Sequence, residues 1–255
     1  MVGSRTKKAI ARLLKSSGMF PVQKRRMEEL PAPVTISDGN PKSVAHLVGD
    51  PILSVPMSLI RYQDGRPYTY ERHHFLQYYR GGLSELREFY DKHQPSNIFE
   101  YFFLAEPRPC TAGIAEYPWF RILRPKPNLG ESGLPASTHG LQQCGPVSEE
   151  RILAEANRLD RVLQSIRQQG FRPELGGHVR GYFMLRKDGR WVFTIRTGFH
   201  RTAALAHIGC QTIDVQLQPH YPRFVEERDS REWPMVKDGI VTEEEALMMF
   251  LAFFN

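Results

Sequence analysis

The clearest periodicity in the chain begins at Ser148. Apolar residues recur at Ile152, Ala156, Leu159, Leu163 and Ile166, the spacing of one helical face. Glu149 and Glu150 fall in the first turn of that helix, where carboxylates suit the dipole. Gly170 is placed to end it. Two β-rich runs follow, 182–186 and 191–196, flanking Asp188-Gly189, a strong hairpin signal. Residues 199–208 predict another helix, stopped at Gly209. Residues 212–217 alternate Ile213, Val215 and Leu217 onto one face, the period of a strand. Thr242 and Glu245 have capping-box spacing, and the helix behind them carries Ala246, Leu247, Phe250 and Phe253.

The first half is less regular. Residues 52–62 predict a strand centred on 57–61, and Asp64-Gly65 a turn. Residues 68–79 are rich in aromatics and contain His73 and His74. Gly81-Gly82 breaks the chain, and Ser84 is placed to cap a helix that runs to Lys92 with Leu86, Phe89 and Tyr90 inward. A short helix is expected over 98–104, started by Ser96 or Asn97. Residues 107–146 are full of Pro and Gly around Pro118-Trp119-Phe120, with Arg121, Arg124 and Lys126 beyond. A loop of that length predicts a mobile covering segment. Residues 31–51 read as a linker. Residues 6–16 predict a short basic helix, with Ile10, Leu13 and Leu14 on one face, either docked or frayed; a weak membrane-surface or nucleic-acid contact is the alternative. The expected division is a basic N-terminal helix and linker (1–51) and a single domain (52–255).

Composition narrows the class. With 255 residues, 41% hydrophobic and 24% charged, the chain reads as a soluble globular protein with one domain and a sizeable insertion. The formal net charge is +6, and much of the basic excess lies in the first 26 residues, so charge alone does not point to duplex DNA. Three cysteines without CxxC spacing fit a reducing compartment. No apolar run approaches the roughly 18 residues of a membrane span. The N-terminus lacks a secretory pattern, and a cytoplasmic protein is expected. His73, His74 and His93 have no zinc spacing and read as core, as do Trp233 and Phe250; Trp119 reads as loop packing.

The stretch with chemistry is Thr197-Gly198-Phe199-His200-Arg201, which puts a His and an Arg on the first turn of a helix directly after a strand. Free N–H groups and the helix dipole favour phosphate there. Gly198 permits a sharp turn and close approach of a ligand. Arg201 offers a planar fork of donors, His200 can donate or move a proton, and Thr197 and Thr202 can add hydroxyls. Each has a plainer alternative: an ordinary turn, a surface ion pair, a structural histidine. Glu155 is the candidate acid on the preceding helix, against a solvated helix face. Arg158 is a candidate phosphate or substrate contact, and His178, after Gly176-Gly177, a second. No metal ligands are identified. The run Glu226-Glu227-Arg228-Asp229 reads as solvated surface.

The order of these parts resembles the ParB/sulfiredoxin superfamily: Ser165-Ile166 and Gly170, a strand, a hairpin and a strand, then Gly198, His200-Arg201, Ala203-Ala204, Gly209 and a closing strand. The resemblance covers 148–217, with 55–62 as a first strand. It implies an α+β fold: a small mixed sheet with packed helices, core 52–62 and 148–217, a helical and loop insertion over 63–147, and a helical cap over 218–255. The whole chain also resembles bacterial proteins found among surface-polysaccharide genes. Members of the superfamily bind nucleotides: partition proteins use CTP and bind DNA, sulfiredoxin uses ATP, and another branch phosphorylates serine. The resemblance therefore implies that Gly198, His200 and Arg201 contact nucleotide phosphates, with ATP or another nucleotide and Mg²⁺ as cofactors. Two departures matter. Sulfiredoxin's nucleophilic Cys is replaced by Phe199, which excludes that chemistry. The 38 residues after Leu217 are too few for the helix-turn-helix domain of partition proteins. An ATP-dependent phosphotransferase acting on a small hydroxyl-bearing metabolite is expected. A non-catalytic nucleotide-responsive regulator and a DNA-associated protein or nuclease are the alternatives.

Overall fold

A computed structural model describes residues 33–36, 39–44, 51–104, 110, 112–114, 116–121 and 133–255. The expected N-terminal helix and much of the long Pro- and Gly-rich segment lie outside these residues. In chain order the elements are β1 (Val34–Thr35), β2 (Leu53–Pro56), β3 (Ile60–Arg61), α1 (His74–Gly81), α2 (Leu83–Lys92), α3 (Ile98–Tyr101) and α4 (Ala136–His139). Then come α5 (Glu149–Gln169), α6 (Pro173–Gly176), β4 (Val179–Leu185), β5 (Trp191–Thr197), α7 (Phe199–His207), β6 (Thr212–Leu217), β7 (Phe224–Glu226), α8 (Pro234–Lys237) and α9 (Glu243–Leu251). Short 3₁₀ turns fill Pro41–Val44, Met57–Leu59, Glu227–Glu232 and Ala252–Phe254.

The fold is α+β. The described strands form one seven-stranded mixed sheet, ordered β1-β2-β6-β4-β5-β3, with β7 also paired to β4. β4 and β5 form the predicted antiparallel hairpin, and β6 lies parallel to β4. β2 pairs with β6 near one side of this order, while β3 pairs with β5 at the other. Only Met57–Leu59 connects them. That short link reaches at most roughly 14 Å, whereas four strand spacings in a flat sheet span roughly 19 Å. The sheet is therefore curled, bringing its flanks together. The single strand expected over 57–61 is split for the same reason: the chain has to step from one flank to the other.

Alternation along the central strands explains the layers. Val179 and Phe183 of β4, with Phe193 and Ile195 of β5, join the core under α1, α2, α5 and α7. Tyr182, Met184 and Val192 join a second core with Trp119, Trp233, Met249, Phe250 and Phe253. Strands buried on both faces read as near-continuous apolar runs, as Tyr182–Leu185 does. β6 is covered on one face only, and Ile213, Val215 and Leu217 alternate with partly exposed neighbours as expected.

Local signals set most helix ends. Ser148 caps α5 through the Arg151 N–H, and Gly170 closes it at a positive φ of 73°. Gly82, not Ser84, is the N-cap of α2; the Ser84 hydroxyl instead donates to the Gly81 carbonyl at 3.1 Å. The linker expected over 31–51 contributes β1, parallel to β2, and a turn whose Pro41 and Val44 are buried. At α9 the Thr242 hydroxyl accepts from Glu245 N at 3.2 Å, while the Glu245 carboxylate accepts from Thr242 N at 2.7 Å. Thr242→Ala is expected to cost about 1 kcal/mol. The readout is a lower urea midpoint at unchanged m.

Candidate functional site

The bend between β5 and α7 is built on Gly198, which sits at φ +94°, ψ 22°. A side chain there would be strained, and its Cβ would lie 2.9 Å from Val179 Cγ2 and 3.2 Å from Arg201 Nη2. Gly198 brings no capping side chain to α7, and the first turn holds no acidic residue. The contrast within the molecule is marked. α5 begins with a Ser cap and two glutamates, and α9 with a capping box and three glutamates. The positive end of α7 is left without either kind of compensation.

Arg201 lies over this bend. Its Nη1 donates to the carbonyls of Gly176, at 2.7 Å, and Gly177, which fixes the guanidinium from one side. Among the described residues the Nε and Nη2 edge makes no hydrogen bond, and Nη2 is the nitrogen nearest Gly198. Positive charge accumulates around it. Burial lowers the Arg201 pKa, and burial followed by the charges of Arg161 and Arg201 lowers that of Arg158. His178 is lowered chiefly by burial, with Asp214 opposing and Arg180 and Arg201 adding to the effect. Arg158, His178 and Arg201 thus share one region. Thr197 is half-buried beside them. The Thr202 hydroxyl does not join this group: it is fully buried and donates back to the Gly198 carbonyl at 3.1 Å, the helical i to i−4 bond a first-turn Thr readily makes.

His200 points inward. It is 5% exposed, its ring stacks on Phe75 at 4.8 Å, and its Nε2 lies 2.7 Å from Glu155 Oε2. Of the two roles expected for His200, donation to phosphate and proton transfer, the first is not open to Nε2, because Glu155 occupies that nitrogen. With the Nε2 proton held by Glu155, Nδ1 becomes the acceptor of the ring. Among the described residues Nδ1 makes no hydrogen bond, and it is not among the sealed polar atoms. Burial lowers the His200 pKa; the Glu155 hydrogen bond and charge oppose this, and Arg158 and Arg201 reinforce it. The ring is therefore neutral at pH 7.

Glu155 is 3% exposed and belongs to no solvated face. It lies on the same stripe as Ile152 and Leu159, so packing α5 against the body carries the carboxylate inside. Gln142 Nε2 lies 3.1 Å from Glu155 Oε2 and 3.2 Å from His200 Nε2, and Arg151 Nη1 lies 3.5 Å from Glu155 Oε1. Gln142 comes from the long irregular segment, where no periodic signal marks a residue. The Arg151–Glu155 pair was visible as an i,i+4 spacing on a helix. Phe199 packs its ring against Tyr62, with centroids 4.9 Å apart.

Among the described residues no group of three or more His, Cys, Asp and Glu side chains is arranged to hold a metal ion. The carboxylate near the bend is Glu155, already engaged by His200, Gln142 and Arg151, so these residues do not assemble a dedicated Mg²⁺ site. Among the same residues no helix is long and apolar enough to cross a membrane. All three cysteines are free, with Cys144 buried.

No family model matches this chain, and no curated protein or solved structure matches it.

Proposed function

We propose that the bend at Gly198 binds the phosphates of a nucleotide, and that the protein is an ATP-dependent phosphotransferase acting on a small hydroxyl-bearing metabolite. The observation that carries this is the 2.7 Å Glu155–His200 contact at the uncapped start of α7, beside the free edge of Arg201. Phosphate oxygens would accept from the first-turn N–H groups and from Arg201 Nε and Nη2, with Arg158 adding charge and the neutral His178 ring a hydrogen-bonding nitrogen. Glu155 holds the neutral His200 tautomer, and Nδ1 accepts the proton of the substrate hydroxyl. As that proton leaves, the hydroxyl oxygen bonds to the terminal phosphorus. The bond from phosphorus to the bridging oxygen breaks, and its electrons leave with the nucleoside diphosphate. Mg²⁺ would enter on the nucleotide's phosphates.

A second reading, a nucleotide-responsive regulator without turnover, draws on the enclosure of His200 between Phe75 and Glu155. Both readings share the binding site and differ in chemistry. Thermal shifts with ATP, ADP, CTP and GTP, with and without Mg²⁺, test the binding, because a ligand of the native state raises its melting point. At least one nucleotide is expected to stabilise the protein, and Arg201→Ala to weaken it at least tenfold, the loss of one charge-assisted contact. Unchanged affinity in that variant overturns both readings. Nucleotide binding without phosphate release or transfer to any hydroxyl acceptor favours the regulator. Duplex DNA at moderate salt serves as the control for the DNA-associated alternative.

A further inference from the structure

We propose that a second site, for an organic anion carrying a planar ring, lies at the opposite end of β5. Trp191 begins that strand and Thr197 ends it, so the two sites are separated by roughly 20 Å of extended chain. The site is a recess of about 480 Å³ lined by Leu59, Arg61, Asp188, Arg190, Trp191 and Phe254, among others. That size suits a small molecule.

Arg61 sets the ligand's charge. It is 9% exposed, and its Nε donates to the Phe253 carbonyl at 2.7 Å. One terminal nitrogen, Nη1, donates to the carbonyls of Ser58 at 2.7 Å and Ile60 at 3.0 Å. These are neutral dipoles. Among the described residues no carboxylate lies within ion-pair distance of Arg61, and Nη2 makes no hydrogen bond. The charge nearest in effect is another cation, Arg72; burial and that repulsion lower the Arg61 pKa to about 10, leaving it protonated at neutral pH. A buried cation held by dipoles alone is costly, and an anion in the recess relieves that cost. The other wall charges are already matched: Asp188 pairs with Arg190 at 2.8 Å and with Arg186 at 3.3 Å. Arg61 is therefore the charge left over.

The ring follows from the walls. The Trp191 indole is held by its Nε1 donating to the Gly39 carbonyl at 2.5 Å, and the Phe254 ring lies 5.8 Å from the Arg186 guanidinium. Both rings line the same recess as Arg61. A carboxylate or phosphate monoester on Arg61 would place its attached ring against them.

Phenyl phosphate and benzoate are suitable probes, with inorganic phosphate and benzyl alcohol as controls for the ring and the charge. The Trp191 indole N–H resonance is the local readout. Phenyl phosphate or benzoate is expected to shift it saturably, with benzyl alcohol failing to do so and inorganic phosphate binding at least tenfold more weakly. Arg61→Met is expected to abolish the shift, and Arg201→Ala to leave it intact. Should Arg61→Met fail to fold, Arg61→Lys keeps the charge but loses the fork, and at least a threefold weaker affinity is expected. No saturable shift at Trp191 in the native protein overturns the proposal, as does an equal response to benzyl alcohol or an unchanged affinity in the Arg61 variants.

Discussion

Glu155→Ala is expected to destabilise the protein by about 3–5 kcal/mol, the cost of removing one member of a buried charged cluster. The carboxylate is enclosed, accepts from His200 Nε2 at 2.7 Å and Gln142 Nε2 at 3.1 Å, and lies 3.5 Å from the Arg151 guanidinium. Truncation strands the imidazole N–H in a site closed by Phe75, and a stranded buried donor alone costs about 1–3 kcal/mol. Glu155→Gln keeps an acceptor of nearly the same shape opposite Nε2 and is expected to lose much less stability. Its chemical effect is the larger one. Under the proposed phosphotransfer, the ring without that charge is a weaker base, and turnover is expected to fall about 100-fold, the lower range of a general-base contribution. Denaturant midpoints of the two variants separate these roles. If both stay within about 1 kcal/mol of native, the buried cluster is not holding the fold as described.

Glu155 also illustrates what the sequence disclosed. Its spacing from Ile152 and Leu159 puts it on the apolar stripe of α5, but a carboxylate reads as solvated helix face, and its burial was not expected. Its partner was not legible either, because His200 lies 45 residues away and the two meet only when α5 and α7 pack together. The strand, hairpin and helix order from Tyr182 to Leu217 was legible because period-2 alternation, Asp188-Gly189 and Gly198 are local signals. The curl of the sheet was not. Residues 52–62 are apolar enough to read as one strand, and only the pairings of β2 and β3 at separate positions in the sheet force a turn into it. Gln142 carries no local signal at all: its role comes from where an irregular segment happens to pass. The aromatic reading of His73, His74 and His93 as core was sound in composition. It did not anticipate how closely they would be gathered.

Stability is expected to fall steeply as pH drops from about 6.5 toward about 4, the interval over which an unfolded-state histidine takes up a proton before a buried one does. The rings of Tyr68, His73, His74 and Phe89 form a column with centroids 4.1, 4.9 and 4.2 Å apart. His93 stacks on Phe103 beside it, at 4.1 Å. The Arg66 guanidinium lies 4.5 Å from the Phe89 ring centroid, paired with Asp64 at 2.6 Å. Burial is the main cause lowering all three histidines, and Arg66 is the next; His200 adds to the effect on His73 and His74, while Asp64 and Glu100 oppose it at His93. His93 is pushed to about 4, and His73 and His74 well below their usual value. Because the folded values are depressed, the stabilisation is complete above the unfolded pKa and is lost as pH falls through the interval. His93 alone accounts for on the order of 3 kcal/mol, a large fraction of a typical domain's 5–15 kcal/mol. His74 adds a second vulnerability, since neither of its ring nitrogens has a partner. His74→Phe keeps a ring in the column and removes both the titration and the two unmet nitrogens, so it is expected to flatten the acid limb and to raise stability at pH 5. His73 requires a different exchange. Its Nδ1 caps α1 through the Phe75 N–H at 3.2 Å, and asparagine preserves a capping acceptor. Urea unfolding of the native protein and both variants at pH 7, 6, 5 and 4 measures the slope. An acid limb equally steep in His74→Phe and native protein places the sensitivity elsewhere, and a flat native profile removes the effect altogether.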